Sequence, residues 1–319
     1  MERLAIKSTS LPRVSVCLLT YKRADILPQT LDSLLLQTHS DFELIINDDR
    51  SPDNTEEICR EYEQRDPRVR YFKNTTNLRY AGNQNVALLR ANCEFVAIVH
   101  DGDIYRSDLI EKWTRALVEK PTAAIVFNSL EVMDRQGKVV NICRHPYGPL
   151  VRGMELFDEM IESSSSPVFG IVMVRKSCVL SVGPFDPRIP TLADVDMWLR
   201  LLLRYDAAYI AEPLLCVAPR EIVHHNNYSN WKVRTEYELI YALNSARRYQ
   251  GQAHNVAKLR RKIAPMIWQV RLGLLLRCLW NREIKAAFDG MKFIFLRLNF
   301  AKDAIPDSVL DWEDVQANL

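Results

Sequence analysis

Two apolar runs in this chain end directly in acidic turns, where chemistry is most readily sought. Residues 42–47 (FELIIN) lead into Asp48-Asp49-Arg50-Ser51, and residues 94–99 (EFVAIV) lead into His100-Asp101-Gly102-Asp103. Carboxylates gathered at one place repel each other unless a cation or the hydrogen-bond donors of a ligand offset them. Mg²⁺ and Mn²⁺ prefer oxygen ligands, and Mg²⁺ takes one or two carboxylates plus substrate phosphates and water. The pattern suggests a divalent metal holding a nucleoside diphosphate. Gly102 allows a sharp turn, so that one of its flanking aspartates can face the metal and the other a sugar or ribose hydroxyl. The competing reading is an ordinary Asp-Gly turn. Asp48-Asp49 can accept a hydrogen bond from a uracil-type imide or a ribose hydroxyl, or can simply mark the acidic start of a helix. Thr20-Tyr21-Lys22-Arg23 closes another apolar run. There Thr20 can bind a base, Tyr21 can stack on its ring and Arg23 can pair a phosphate.

The elements that would position these residues follow from periodicity. Runs over 14–20, 42–47, 69–72 and 94–99 read as strands, the longer ones buried on both faces of a parallel sheet. Between them lie helical patterns. Leu27, Leu31, Leu34 and Leu35 form one stripe, and Asp53 stands three residues before Glu56 as a cap-like start for the next helix. Residues 83–91 form a third helix, with Val86 and Leu89 on its apolar side and Arg90 turned away. Ser107 is expected to cap a fourth, carrying Leu109, Trp113 and Leu117. This βα alternation over about 120 residues implies a doubly wound sheet with its ligand crevice beyond the carboxyl ends of the strands. Further on, 123–128 and 169–174 are strand-like, 131–140 suggests a hairpin around Gly137, and 194–204 reads as helix.

Composition is that of an ordinary globular protein: 319 residues, 48% apolar and 26% charged, with a formal net charge of +2. That balance argues against a dedicated nucleic-acid binder. Seven scattered cysteines without a C-x-x-C pair suggest reduced thiols. Residues 1–8 lack the apolar core of a secretory signal, and no stretch approaches the ~20 apolar residues of a spanning helix. The expectation is a cytoplasmic protein, soluble or peripheral on the cytoplasmic membrane face. From 258 to 302 there are eleven Lys/Arg and two acids among apolar residues, whereas 303–319 carries five acids and no base. The basic stretch reads as amphipathic helices, either packed on the core or attached to an anionic membrane surface.

Several spaced motifs occur in the order seen in family 2 glycosyltransferases, which the chain resembles over about 12–229. They are VSVCLLTYKR (14–23), LLQT (35–38), DFELIINDDRS (41–51), DNT (53–55), NLRYAG (77–82), DGD (101–103) and DVDMW (194–198). The resemblance implies a GT-A fold: a Rossmann-like, doubly wound mixed α/β sheet flanked by helices, here with a helical C-terminal appendage. It divides the chain into a glycosyltransferase domain over 1–235 and a helical region over 236–319. Within the domain, a nucleotide-binding half covers about 12–120 and an acceptor half about 121–235.

The resemblance also implies roles. Thr20 and Asp49 match nucleoside contacts, Arg79 a base- or phosphate-side contact, and Asp101 the position touching ribose or sugar. Asp103 matches the ligand of Mg²⁺ or Mn²⁺. Asp194 matches the catalytic base, and His224, near Ser229, a late residue that helps hold metal or diphosphate. The implied activity is metal-dependent, inverting transfer of a sugar from a nucleoside-diphosphate donor, UDP or dTDP favoured over GDP. The acceptor would be a saccharide or lipid-linked hydroxyl in bacterial surface-polysaccharide assembly. The alternative is a non-catalytic nucleotide-sugar binder of the same fold. This chain departs from the pattern at Lys22 (usually Asn), Arg50 (usually Gly), Ala193 (usually an acid) and Asn83-Gln84-Asn85 (commonly Ala-Arg-Asn). Asp194 and Asp196 stand about 200° apart on a helix, so only one can face an acceptor; Asp194 is preferred and Asp196 is expected to pair locally. Trp198 is expected in the core, and His100 and His145 are expected to be structural or solvent-facing.

Overall fold

The computed structural model describes residues 11–134, 136–163, 165–189 and 191–217, together with Ile240, Asn244, Arg247, Arg248, Leu272 and Leu276. His224 and nearly all of the basic C-terminal stretch lie outside the described residues.

The first 120 residues alternate as the apolar periodicity requires: β1 (Val14–Thr20), α1 (Leu27–Leu35), β2 (Phe42–Asp48), α2 (Thr55–Arg65), β3 (Val69–Lys73), α3 (Arg79–Arg90), β4 (Phe95–His100), the short β5 (Ile104–Tyr105) and α4 (Leu109–Glu119). The second half adds β6 (Ala123–Met133), β7 (Val139–Cys143), β8 (Leu150–Val151), α5 (Gly153–Ser163), β9 (Val172–Arg175), α6 (Lys176–Val182), α7 (Ala193–Leu202) and β10 (Asp206–Val217). The strands all belong to one mixed sheet of order β3-β2-β1-β4-β9-β6-β10-β5, with β7 beside β6 and β8 beside β10.

β1, β2, β3 and β4 run parallel, while β9 lies antiparallel between β4 and β6. The chain moves outward from β1 to β2 and β3, then returns to the other side of β1 as β4. The gap between the ends of β1 and β4 is therefore the switch point at which open α/β sheets bind ligands. Every residue of β1, β2 and β4 is buried, because helices cover both faces. Val14, Val16 and Leu18 pack with Leu27, Leu31, Leu34, Leu109 and Trp113 on one side. Cys17 and Leu19 pack with Ala81, Ala87, Leu88 and Trp198 on the other.

Several local expectations shift. α3 begins at Arg79, a turn before 83, and its buried face includes Asn83, Gln84 and Asn85 as well as Val86 and Leu88. Arg90 is not turned away: it lies over the Phe72 ring, 4.5 Å from its centroid, and reaches Asn47 and Asn74. The residue before α4 is Asp108, with no side-chain cap, and the Ser107 carbonyl is taken by the Thr38 amide. β9 starts at Val172, leaving Phe169 exposed and Gly170 in a bend. The hairpin around Gly137 joins β6 to β7. Trp198 is in the core, edge-on to Phe185.

Candidate functional site

The parallel register places Thr20 opposite Asp48 and Leu19 opposite His100. The loops that follow β1, β2 and β4 therefore emerge side by side. Across the switch point the Tyr21 amide donates to Asp101 Oδ2 at 3.3 Å, and Arg23 Nε lies 3.8 Å from Asp101 Oδ1. The Lys22 amide donates to Ser51 Oγ at 2.9 Å, tying the first loop to the second. Thr20 is buried, and its hydroxyl has no hydrogen-bond partner among the described residues. Such a group is costly unless a ligand or water satisfies it.

The two adjacent aspartates after β2 have different surroundings. Asp48 accepts the Tyr71 hydroxyl and the Ser51 amide, both at 2.8 Å, and is occupied in shaping its own turn. Asp49 is buried beside Thr20, whose carbonyl takes the Asp49 amide. Its carboxylate accepts Leu78 N at 2.7 Å and Asn74 Nδ2 at 3.1 Å. Burial outweighs these bonds and raises its pKa above the ordinary carboxylate value. Asn83 in turn bridges Asn47 and Asn74, so α3 is hydrogen-bonded to the strand end that carries Asp49. Arg79, exposed at the start of α3, lies two residues beyond Asn77, whose side chain donates to the Asp49 carbonyl at 3.1 Å. Lys22, Arg50 and Arg79 all adopt left-handed backbone, with φ of 56°, 64° and 60°.

At the third loop Gly102 has φ 84°, and a Cβ there would lie 2.8 Å from Ile26 Cδ1. Glycine takes this backbone without strain, whereas a side chain would also have to push the Ile26 tip aside. Thr30 Oγ1 accepts the Gly102 amide at 3.0 Å and donates to the Asp103 carbonyl at 3.1 Å. Tyr105 Oη accepts the His100 amide at 2.9 Å and donates to the His100 carbonyl at 2.8 Å. The turn is thus pinned from both flanks, with Asp101 half-buried and Asp103 buried. Among the described residues no group of three or more His, Cys, Asp and Glu side chains gathers tightly enough to hold a metal unaided. A Mg²⁺-type site needs only one or two carboxylates with phosphate and water completing the shell; on this turn the oxygen donors are the half-buried Asp101 and the buried Asp103.

The two aspartates of residues 194–196 lie on α7. Asp194 stands in its first turn, Oδ1 accepting the Val195 amide at 2.8 Å. Asp196 is buried and fully engaged: Oδ2 lies 2.8 Å from Arg200 Nε, and Oδ1 meets Arg247 Nη1 at 2.8 Å and Asn244 Nδ2 at 2.9 Å. Arg200 also donates to the carbonyls of Val182, Gly183 and Pro184. Asn85 of α3 clamps the Phe185 backbone through two 2.8 Å bonds. The segment 182–185 thus ties α7 to α3, held by Arg200 from one side and Asn85 from the other.

Three side chains meet over Gly170. A Cβ built there would lie 2.5 Å from Tyr80 Oη, 2.8 Å from His100 Cε1 and 3.1 Å from Asp194 Oδ2. Tyr80 Oη is 3.3 Å from His100 Nε2, with the rings edge-on at 5.6 Å. His100 is 8% exposed, so it is not solvent-facing. His145 stacks on Tyr147, and burial lowers its pKa. The structure thus gathers Thr20, Tyr21, Arg23, Asp49, Arg79, Asp101, Asp103 and Asp194 along one sheet edge. It adds Tyr80, His100 and Gly170, which motif spacing did not single out. The available signal for His100 was its position at the end of a buried strand, one residue before Asp101.

Residues 15–160 match the family model described as Glycosyl transferase family 2. A relative from Bacillus subtilis strain 168, named as the teichuronic acid biosynthesis glycosyltransferase TuaG, is 28% identical over 232 residues, covering 72% of this chain and 87% of that one. The crystal structure of S. aureus TarS 1–349 in complex with UDP-GlcNAc superposes with a TM-score of 0.61 at 15% identity, over 89% of this chain and 90% of that one. The mannosyltransferase PcManGT from Pyrobaculum calidifontis, in complex with GDP-Man and Mn²⁺, gives a TM-score of 0.52 at 18% identity, over 97% of this chain and 85% of that one. At such identities the structural likeness is one of fold.

Proposed function

Because the chain is a glycosyltransferase of family 2 with a GT-A fold, we propose that it moves a sugar from a nucleoside-diphosphate donor to an acceptor hydroxyl with inversion at the anomeric carbon. The observation that carries this reading is the placement of two separate acidic functions on one sheet edge: the pinned turn 101–103 on one side and Asp194 on the other, with Gly170 between. In this reading Thr20 and Asp49 hold the nucleoside, Tyr21 stacks on its base, and Arg23 and Arg79 face the phosphates. Asp194 accepts the proton of the acceptor hydroxyl as the oxygen attacks. A carboxylate is a weak base toward an alcohol, so the proton moves late, once the attacking oxygen has lost electron density. A Mg²⁺ or Mn²⁺ ion held by Asp103, with Asp101 beside it, would offset the charge growing on the departing diphosphate.

UDP or dTDP donors are favoured, in keeping with the UDP-GlcNAc held by the TarS neighbour. The TuaG relative supports a setting in bacterial polysaccharide biosynthesis, and the proposal extends to work at the cytoplasmic membrane face on a saccharide or lipid-linked acceptor. Among the described residues no helix is long and apolar enough to cross a membrane. The domain division at about 235 is proposed on the same basis as the roles. A thermal-shift panel of UDP-GlcNAc, other UDP sugars, dTDP sugars and GDP-mannose, each with and without Mn²⁺, tests the reading. A metal-dependent rise in melting temperature with one donor class is expected. No response to any donor would refute it.

A further inference from the structure

In-line displacement at an anomeric carbon sets the attacking and leaving oxygens on opposite sides of the sugar ring. If the turn at 101–103 faces the diphosphate and Asp194 faces the acceptor, the ring must occupy the space between them. One residue borders both: His100 adjoins Asp101 in the chain, and its Cε1 and Asp194 Oδ2 both lie within 3.1 Å of the point where a Gly170 side chain would start. The His100 backbone is held at N and O by the Tyr105 hydroxyl, and its ring is met by Tyr80 of α3. Imidazole and phenol can each donate or accept a hydrogen bond, as a sugar hydroxyl does.

We propose that Tyr80 and His100 form a sugar-positioning pair, holding a hydroxyl of the transferred sugar over Gly170 while the anomeric carbon faces Asp194. This inference rests on the donor and base assignments proposed above. Glycine at 170 lets these three groups stand together, since a Cβ there would press on the phenol, the imidazole and the carboxylate.

The test uses the full chain and whichever nucleotide sugar the thermal-shift panel selects, compared with the nucleoside diphosphate of the same base. Calorimetric affinities for both ligands, with Mn²⁺, are measured for the wild type and for Tyr80→Phe, His100→Gln and Gly170→Ala. Each variant is expected to bind the nucleoside diphosphate within about twofold of wild type. Each should lose about tenfold in affinity for the nucleotide sugar, the scale of one hydrogen bond. Equal losses for both ligands, or no loss for either, would overturn the pairing. Tyr80→Phe removes a single oxygen and keeps the test decisive should His100→Gln fail to fold. A wild type that answers to no nucleotide sugar removes the functional reading itself, whereas a responsive wild type with unaltered variants removes only the role of Tyr80 and His100.

Discussion

Asp196 and Arg200 form a buried ion pair one turn apart on α7, Oδ2 to Nε at 2.8 Å, and the same guanidinium holds three carbonyls of the loop that precedes the helix. Burial alone would raise the Asp196 pKa, but the Arg200 and Arg247 charges outweigh it and hold the carboxyl below its ordinary value of 3.8. A depressed folded-state pKa means that the stabilisation is present above the unfolded value and is lost as pH falls through the folded one. Asp196→Asn leaves a buried arginine without its counter-charge and should cost about 3–5 kcal/mol. Urea denaturation at pH 7 measures the loss, and the variant should show a weaker decline in stability below pH 3.8 than wild type does.

Asp49 has the opposite sign. Burial raises its folded-state pKa, so its stabilising contribution is present below the ordinary value of 3.8 and is lost as pH rises through the folded value. Asp49→Asn keeps an oxygen for Leu78 N and Asn74 Nδ2, and should leave stability at pH 7 equal to or above wild type. If Asp49 contacts the nucleoside, UDP affinity should nevertheless fall about tenfold by calorimetry.

Asp194→Asn should reduce sugar transfer by about 10²–10⁴-fold, the range for loss of a general base, while nucleotide-sugar affinity stays near wild type. Product formation under saturating donor, set beside calorimetry, separates the two. Transfer at the wild-type rate would remove Asp194 from the base role.

Asp103→Ala should abolish the Mn²⁺-dependent part of donor binding while leaving the metal-free part in place. Titrating the donor with Mn²⁺ and with EDTA measures both parts. An undiminished Mn²⁺ effect would place the metal elsewhere.

Gly153→Ala tests packing far from the chemistry. A Cβ at Gly153 would overlap the Tyr205 carbonyl oxygen and lie 2.6 Å from that of Leu202, both rigid backbone atoms. Overpacking of this kind costs typically 1–3 kcal/mol, which a lowered melting temperature would reveal.

Much of the first 120 residues was legible because strands covered on both faces are written as near-continuous apolar runs. Val14 to Thr20 and Phe42 to Asp48 are such runs, and their ends mark the site edge. The preference for Asp194 over Asp196 came from the motif resemblance, and helical geometry added only that the two cannot face one acceptor. The partners of Asp196 confirm that it is occupied, and one of them, Arg247, stands 51 residues away in sequence. The difference between Asp48 and Asp49 was not legible, since it depends on Tyr71, Ser51, Asn74 and Leu78 arriving from other elements. Of the two readings of His100, structural or solvent-facing, burial removes the second, and nothing local says that α3 and α7 will close over the end of β4. Gly170 gave no signal at all: its requirement is the absence of a side chain where three distant residues meet.

Lys22, Arg50 and Arg79 keep the rim of the crevice in a conformation that an L-residue adopts at a cost of roughly 1–2 kcal/mol each. Contacts within the fold, such as the bond from the Lys22 amide to Ser51 Oγ, hold this rim. Association at this edge should accordingly proceed with little backbone rearrangement, and crystals grown with and without nucleotide should superpose closely along it. Relaxing one corner, as by Arg50→Gly, would exchange that readiness for a sturdier but looser rim.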